Sequence, residues 1–409
     1  MAVIKAATPK GFRDFLPKDA LARQAVLGKI TEVFQKFGFD PLETPTLEYE
    51  ETLTGKYGEE EKLIYKFETP GGDKVALKYD QTVPLARVVA QYGPNGQQTL
   101  PLPFKRYQIQ PAYRGENTQK GRYREFLQCD ADIIGVSTPL ADAEILALAY
   151  EIYKDLGLDV VIKINDRNLL PKISPSALSA IDKLNKIGEE GVKQELEKKG
   201  YSKDDAEKLL KDVKALKAST NLIEIKRIFN EMGYPESVLQ FDPTLVRGLD
   251  YYTGLIMEVV LKEDPNGSSL CGGGRWDEMI GKFTGVDQAA TGFAIGLDRT
   301  IEAMKDSGVL EASETNAKVL VTIFSPQLET DSIDLLKNLR SNNIPCELWL
   351  DPNSKLEKQL KYADQKGIPY ALIIGPEEVE NDLVMLKDLK NNSQEKLSID
   401  TLLEKLNNI

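Results

Sequence analysis

An alternation of polar and apolar residues over residues 104–134 is the most informative pattern in the chain. It predicts a strand over 104–113, a polar loop over 114–120 and a returning strand over 121–134. Between residues 105 and 125 this segment has six Lys or Arg and two acidic residues. A sheet face this basic favours an anionic ligand. An exposed amphipathic hairpin, whose charges simply face solvent, is the alternative that the pattern leaves open.

The returning strand carries a different chemistry. Phe126 is followed by Gln128, Asp130 and Asp132. An aromatic ring can stack on a base, whereas amide and carboxylate oxygens accept hydrogen bonds from an amine. Together with arginines suited to phosphate, these residues predict a site that joins a nucleotide to an amino acid.

The segments before this hairpin predict a helix, an extended edge and a second, shorter hairpin. Apolar residues recur at helical spacing over 20–37, and Pro41 and Pro45 follow in an extended stretch. That stretch suits a strand at a subunit interface or a plain connector equally well. A hairpin about residues 70–73 then leads to Asp80 and Thr82, just before a helix over 84–92. These two side chains either bind an amine or cap that helix.

The remaining patterns divide the chain into four predicted parts. A helix over 139–156 and a strand over 158–165 complete the first part, residues 1–165. Residues 166–240 are rich in Lys and Glu at helical spacing and predict a helical insertion. Strand patterns resume over 241–308, where three consecutive glycines precede Arg275 and a strand runs into a helix carrying Arg299. From 316 to 409 an alternating β/α series predicts a second domain.

Composition excludes several classes of protein. A hydrophobic content of 41% with 28% charged residues is ordinary for a globular protein. The sequence shows neither an apolar run of membrane length nor a signal-peptide pattern. We therefore expect a cytoplasmic protein that does not associate with membranes. Three cysteines without paired spacing disfavour a disulfide framework and structural zinc. The chain has no histidine, which excludes His-based nucleophilic catalysis and His-ligated metals. A net charge of −12 disfavours nonspecific nucleic-acid binding but allows a local basic groove.

Five segments carry a resemblance to a known family. YRGENTQKGRYREF (113–126) and TGFAIGLDR (291–299) resemble motifs 2 and 3 of class II aminoacyl-tRNA synthetases, and Pro45 stands in a segment similar to motif 1. LVRGLDYYTG (245–254) and CGGGRWD (271–277) resemble the segments of the histidyl-tRNA synthetase family, to which the chain is similar over nearly its full length. The resemblance implies an α+β fold: a class II antiparallel catalytic sheet with a helical insertion, a C-terminal α/β anticodon-binding domain, and a homodimer.

The same resemblance implies a reaction and its residues. The reaction is ATP-dependent ligation of histidine to tRNA(His) through a histidyl-adenylate, with Mg²⁺ bound to ATP and no metal held by the protein. Arg114 and Arg247 would be catalytic, stabilising the α-phosphate. The positions implied for ATP are Arg114, Glu116, Arg122, Phe126 and Arg299; those for histidine are Asp80, Thr82, Gln128, Asp132, Arg247, Tyr251, Tyr252 and Trp276; those for the acceptor end of the tRNA are Gln119 and Lys120.

A noncatalytic paralogue is the alternative function. A histidine-sensing regulatory subunit of ATP phosphoribosyltransferase resembles the same catalytic core. That paralogue lacks the anticodon domain, whereas residues 316–409 predict one here, and Arg114, Arg247 and Arg299 are all present. The chain departs from the family at Trp276, where Tyr is usual, and at Lys78, where Arg is common. These departures concern how the histidine ring is recognised and leave the reaction class unchanged.

The role implied for Arg247 gives a first prediction. In Arg247→Ala, histidine-dependent ATP–pyrophosphate exchange should fall to background, because a fixed positive charge at the reacting phosphate is worth roughly 10² to 10³ in rate. ATP binding, measured by equilibrium titration, should remain detectable. Near-normal exchange by the variant would contradict the assigned role.

Overall fold

The structure, a computed structural model, describes residues 5–119, 121–170, 174–246, 251–310 and 313–408. These residues form two units: residues 5–14 with 26–310, and residues 15–25 with 313–408. None of the helices in these ranges combines the length and the apolar character needed to cross a bilayer.

Two sheets organise the first unit within the described residues. The larger has eight strands in the order β1-β5-β6-β11-β10-β9-β7-β8 and is antiparallel except for the β1–β5 and β7–β8 pairs, while β2, β4 and β3 form a small antiparallel sheet. The strands are β1 (Asp40–Pro41), β2 (Leu47–Tyr49), β3 (Lys66–Glu68), β4 (Lys74–Leu77), β5 (Phe104–Tyr113), β6 (Glu125–Ile134), β7 (Val160–Asp166), β8 (Leu239–Phe241), β9 (Leu255–Leu261), β10 (Cys271–Arg275) and β11 (Ala290–Gly296).

Helices cover one face of the large sheet and leave part of the other for a cavity. Apolar residues of α1, α4, α8 and α10 join those of β6, β7, β9 and β11 in one buried cluster, whereas those of α3, α5, α6 and α7 belong to a second cluster. The helices are α1 (Pro17–Lys36), α2 (Glu50–Leu53), α3 (Thr82–Tyr92), α4 (Pro139–Asp155), α5 (Pro175–Ile181), α6 (Leu184–Lys198), α7 (Lys203–Lys214), α8 (Thr220–Glu231), α9 (Gly281–Thr284) and α10 (Leu297–Asp306), with short 3₁₀ turns at Gly58–Leu63, Arg167–Leu169 and Glu236–Val238.

The predicted insertion over 166–240 divides into two parts in the structure. Helices α5, α6 and α7 pack on one another through a buried apolar side of each helix, including Leu178, Leu196 and Leu210. Helix α8 instead packs against α4, with Phe229 fully buried in the large cluster, and β8 extends the large sheet beside β7. The charged composition of the segment does not separate these parts, because the residues that fix α8 are a few apolar positions on one side of it.

The second unit is a five-stranded sheet with helices. Strands β13, β12 and β14 are parallel, and β15 and β16 continue the sheet antiparallel. The sequence pattern missed β16, an edge strand of exposed polar residues with no alternation to reveal it. The elements are β12 (Val319–Val321), α11 (Glu329–Ser341), β13 (Cys346–Leu348), α12 (Leu356–Lys366), β14 (Tyr370–Ile373), α13 (Pro376–Glu380), β15 (Val384–Asp388), β16 (Ser393–Leu397) and α14 (Ile399–Asn407), with a 3₁₀ turn at Pro326–Leu328.

The predicted α+β architecture, an antiparallel sheet with helices followed by an α/β domain, is therefore confirmed. The long hairpin is also present, although its second strand begins at Glu125 rather than at 121. Residues 121–124 remain outside the ladder because their backbone bonds elsewhere: Arg122 pairs with Gln119, and the Arg124 amide donates to the carbonyl of Gly11.

The packing of α8 gives a second prediction. Phe229→Ala should lower the free energy of unfolding of the first unit by about 3 to 5 kcal/mol, because it removes a fully buried ring next to Tyr150 of α4. Ile223→Ala, on the exposed side of the same helix, should change it by less than about 0.5 kcal/mol. The chain has two tryptophans, so Trp276 fluorescence in a Trp349→Phe background reports urea unfolding of this unit alone. Equal effects of the two substitutions would contradict the described packing.

Candidate active site

A cavity of about 360 Å³ lies against β6, β10 and β11 of the large sheet. Strand β6 supplies one wall, the start of α10 another, and the segments between β4 and α3 and before β9 supply the rest. Most of the residues predicted for the site meet here: Asp80, Thr82, Arg114, Glu116, Arg122, Phe126, Gln128, Asp132, Tyr251, Tyr252, Trp276 and Arg299.

One predicted residue that the structure describes does not line the cavity, and two lie outside the described residues. Gln119 is exposed in the loop between β5 and β6, where its backbone pairs with Arg122. Arg247 and Lys120 lie outside the described residues.

Arg114 is fixed by the residues beside it. Its Nε donates to the backbone carbonyl of Tyr79 at 3.1 Å. The guanidinium carbon lies 4.3 Å from the centre of the Tyr79 ring and 5.0 Å from that of Phe126. A cation close to aromatic rings is held in place by the negative charge of the ring faces. The cavity therefore contains a positive charge of defined position, suited to an anionic group.

The other basic residues of the cavity also have partners on the protein. Arg122 forms an ion pair with Glu116. Arg299, in the first turn of α10, donates from Nη1 to the carbonyl of Ser269 at 3.0 Å and from Nε to that of Gly121 at 3.4 Å. These contacts fix both side chains, and with Arg114 they are the arginines among the described residues that line the cavity.

Asp80 serves the helix that follows it and also faces the cavity. Its Oδ1 accepts from the Tyr57 hydroxyl at 2.9 Å and from the backbone N–H of Val83 at 3.1 Å, so it satisfies a free donor at the start of α3. Its Oδ2 is buried without a hydrogen-bond partner among the described residues. Burial raises the pKa of Asp80. One oxygen thus caps the helix, and the other remains as an acceptor for an amine.

Asp132 is a buried acidic residue of the cavity wall. Its Oδ1 accepts from the indole N–H of Trp276 at 3.1 Å, and its Oδ2 lies 2.6 Å from Nη2 of Arg106. Burial raises the pKa of Asp132 to about 6, and the positive charge of Arg106 opposes this shift. The side chain is therefore a carboxylate at neutral pH, oriented by Trp276 and able to accept from a donor in the cavity.

Tyr251 and Tyr252 complete the same end of the cavity. Their ring centres are 4.8 Å apart, and both rings are buried. Burial and the nearby carboxylate of Asp80 raise the pKa of Tyr251 well above its usual range, so the phenol keeps its proton. The hydroxyl of Thr82 is one of its hydrogen-bonding neighbours. This end of the cavity therefore offers hydroxyl groups beside two carboxylates.

Glycines let the strands below the cavity approach closely. A Cβ atom on Gly273 would lie 2.1 Å from the carbonyl oxygen of Gly292, and one on Gly292 would lie 2.1 Å from Oδ1 of Asp132. Gly274 has φ of +151°, and a Cβ there would meet the carbonyl of Leu255. The glycine run thus makes room for the strand pairing and for the Asp132 carboxylate.

Several lining residues were not predicted. Glu258 is the charged residue in the otherwise apolar run of β9, and that interruption is the signal that identifies it in the sequence. Tyr79 and Asp298 adjoin predicted residues, but nothing in their own spacing marks them. The further unpredicted polar lining residues are Glu60, Tyr123, Asp182 and Ser269.

Comparisons with known proteins agree over the whole chain. A sequence profile described as histidyl-tRNA synthetase matches residues 11–202 and 176–300, and one described as anticodon binding domain matches 318–409. The histidine–tRNA ligase of Cytophaga hutchinsonii is 37% identical, with 98% of this chain and 99% of the relative covered, and that of Aeropyrum pernix is 40% identical, with 92% of each covered. The crystal structure of histidyl-tRNA synthetase from Nostoc sp. PCC 7120 superposes with a TM-score of 0.85 at 31% identity, covering 99% of this chain and 100% of that one.

The close approach at Gly292 gives a third prediction. Gly292→Ala should destabilise the first unit by about 1 to 3 kcal/mol, because the new methyl group overlaps the Asp132 carboxylate and the carbonyl of Ala131. Gly28→Ala is the matched control: this exposed helical glycine has nothing within 4 Å of an added Cβ, so alanine should stabilise the unit by about 0.4 to 1 kcal/mol. Both are measured by urea unfolding followed through Trp276 fluorescence. A neutral Gly292→Ala would show that the strands can separate at no cost.

Proposed function

The chain belongs to the histidyl-tRNA synthetase family, and we infer from this that its reaction is the ATP-dependent ligation of histidine to its tRNA. The prediction made from the sequence motifs is thereby confirmed. The observation that carries the inference is the agreement of full-length relatives named histidine–tRNA ligase with a cavity lined by both fixed arginines and buried carboxylates. The regulatory-paralogue alternative is not better supported, because the match extends through an anticodon binding domain.

We propose that the first step takes place where Arg114 faces the cavity. A carboxylate oxygen of histidine forms a bond to the α-phosphorus of ATP, and the bond to the pyrophosphate oxygen breaks. The nucleophile is already ionised, so no general base is required. The barrier is electrostatic, because an anion attacks an anion, and fixed positive charge lowers it. Arg114 and Arg247 are proposed to supply that charge, with Mg²⁺ arriving on ATP as part of the substrate.

The remaining arginines and Phe126 are proposed to bind the rest of ATP. Phe126 offers a ring face to adenine, and Arg299 at the start of α10 stacks on its other side or meets the γ-phosphate. The Glu116–Arg122 ion pair also lines the cavity. A carboxylate accepts from an exocyclic amine, and a guanidinium binds phosphate, so ATP would engage both members of the pair.

Histidine is proposed to bind beside the buried carboxylates of Asp80 and Asp132. The partnerless Oδ2 of Asp80 and the Oε1 of Gln128, both buried, are acceptors for the α-amino group, with Thr82 beside them. Asp132 is proposed to accept an N–H of the imidazole ring, with Tyr252 at its other nitrogen and Tyr251 closing the pocket. Trp276 uses its N–H on Asp132, so its proposed contribution to histidine binding is to orient that carboxylate.

The second step of the proposed reaction transfers histidine from the adenylate to the tRNA. A ribose hydroxyl at the acceptor end of tRNA(His) attacks the carbonyl of the adenylate, and AMP leaves. Gln119, exposed on the loop after β5, and Lys120 are proposed to contact that end.

A homodimer is proposed as well. Leu47, Tyr49 and Phe67 are exposed apolar residues of the small sheet, and this surface supports the proposed homodimer. A cytoplasmic location is proposed with the function.

The amino-acid specificity gives a fourth prediction. Histidine should support ATP–pyrophosphate exchange, and each of the other nineteen amino acids should be disfavoured by roughly 10⁴, the discrimination expected of a pocket that hydrogen-bonds its substrate. Exchange is measured with each amino acid in parallel, with Arg247→Ala as the background. Exchange supported equally by another amino acid, or absent with histidine, would refute the function.

A further inference from the structure

Arg106 lies behind the Asp132 wall of the cavity and is fully buried. It stands on β5 directly opposite Asp132 on β6, and its Nη2 is 2.6 Å from Oδ2 of that carboxylate. The two atoms are close but not aligned as a directed hydrogen bond, and Nε and Nη1 are likewise buried without hydrogen-bond partners among the described residues. The guanidinium is therefore held by the charge of Asp132 rather than by a set of hydrogen bonds.

Arg275 is also buried, but unlike Arg106 it makes the hydrogen bonds expected of an arginine with a structural role. Its Nε and Nη2 donate to the two oxygens of Asp142 on α4, at 3.2 and 3.0 Å, and its Nη1 donates to Asp277 and to the carbonyl of Val136. Those bonds join β10 to α4. Arg106 makes no comparable set, although burying an ion pair brings a large desolvation cost and apolar replacement is often neutral or stabilising. Stability therefore does not explain why an arginine occupies position 106.

The charges around Asp132 explain better why position 106 is an arginine. Asp130 lies two residues away on β6, Asp80 approaches from the connection before α3, and Trp276 donates to Asp132 from beyond β10. Burial raises the pKa of Asp130 well above its usual range, and the nearby charge of Arg106 opposes that shift. Lys78, buried near Asp130 and Arg106, has its pKa lowered by burial to about 8. Arg106 is thus the permanent cation that balances the Asp132 carboxylate.

We propose that Arg106 is a positioning residue that keeps Asp132 ionised, so that the histidine ring is bound by donating an N–H to a carboxylate. The inference rests on the proposed function, since it deepens the role of Asp132 in that pocket. Without the guanidinium, a buried carboxylate beside Asp130 and Asp80 takes up a proton at neutral pH. A carboxylic acid presents an O–H donor to the ring and accepts its N–H more weakly.

The test is the pH dependence of KM for histidine in ATP–pyrophosphate exchange, from pH 5.5 to 9, in the full chain and in Arg106→Met. Because the pKa of Asp132 is about 6, KM of the unaltered enzyme should rise as pH falls through 6. In Arg106→Met this rise should begin about one pH unit higher, so that KM at pH 6.5 is about threefold above the unaltered value and recovers near pH 9. KM for ATP should change little. The ring of free histidine also titrates near 6.5, but equally in both experiments.

Two control variants separate charge from packing. Arg106→Lys retains the cation and should keep the pH profile within about 0.3 unit of the original. Arg275→Met removes the other buried, ion-paired arginine, so it should lower the urea midpoint without moving the profile. Should Arg106→Met fail to fold, Arg106→Gln, which keeps N–H donors but not the charge, is judged by the same criterion.

The outcomes distinguish this inference from the proposed function. A folded, uncharged variant at 106 whose profile matches that of the unaltered enzyme overturns the role of Arg106, as does a loss shared equally by both substrates at every pH. Failure of the proposed function looks different, because the unaltered protein would then show no histidine-dependent exchange.

Discussion

The pairing register of β5 and β6 is the constraint on which the cavity depends. Along β6, Gln128 and Asp132 point to the cavity face, while Cys129, Ala131 and Ile133 point into the apolar cluster against α4. Because side chains alternate with a period of two, a slip of one residue would bury the carboxylates among helices and turn the apolar residues toward the substrates. The apolar half of the strand therefore fixes the position of the polar half, and the stability of the core is what orients the chemistry.

Buried polar side chains extend beyond the cavity wall and form a polar layer behind it. Behind Asp132 and Asp130 it continues through Gln108, whose amide donates to the hydroxyl of Thr44 at 2.8 Å, and through Lys78, whose Nζ donates to Gln110 at 2.7 Å. Buried polar groups weaken a core unless they are paired, so such a layer is costly. It is tolerated here because a large apolar cluster on the opposite face of the sheet supplies the stability of the unit.

A residue's role can be predicted from the sequence when periodicity or a motif marks it, but not when the role depends on which residues the fold places around it. The hairpin, the insertion's helical character and the second domain follow from periodicity, and motif resemblance picked out residues from Asp80 to Arg299 that line one cavity. Arg106 could not be distinguished in this way, because it was one of six basic residues in a hairpin and only the fold shows that it is buried against Asp132 while Lys105 reaches the exposed side to pair with Glu144. The sequence left Asp80 between capping and amine binding; the geometry shows that Oδ1 caps the helix, while Oδ2 has no partner among the described residues and stays a proposed acceptor for the amine.

A chain without histidine is compatible with this reaction because the chemical step needs charge and not proton transfer. Guanidinium groups keep their proton throughout the physiological range, so stabilisation of the reacting phosphate is insensitive to pH. Two buried groups have pKa values within reach of neutrality, Asp132 at about 6 and Lys78 at about 8, and Asp132 is the one proposed to bind the amino acid. In the proposed mechanism, permanent cations act on the phosphate, whereas the titratable Asp132 binds the imidazole ring, whose own protonation changes over the same range of pH. Sensitivity to pH should therefore reside in the affinity for histidine and leave the rate of adenylate formation largely constant.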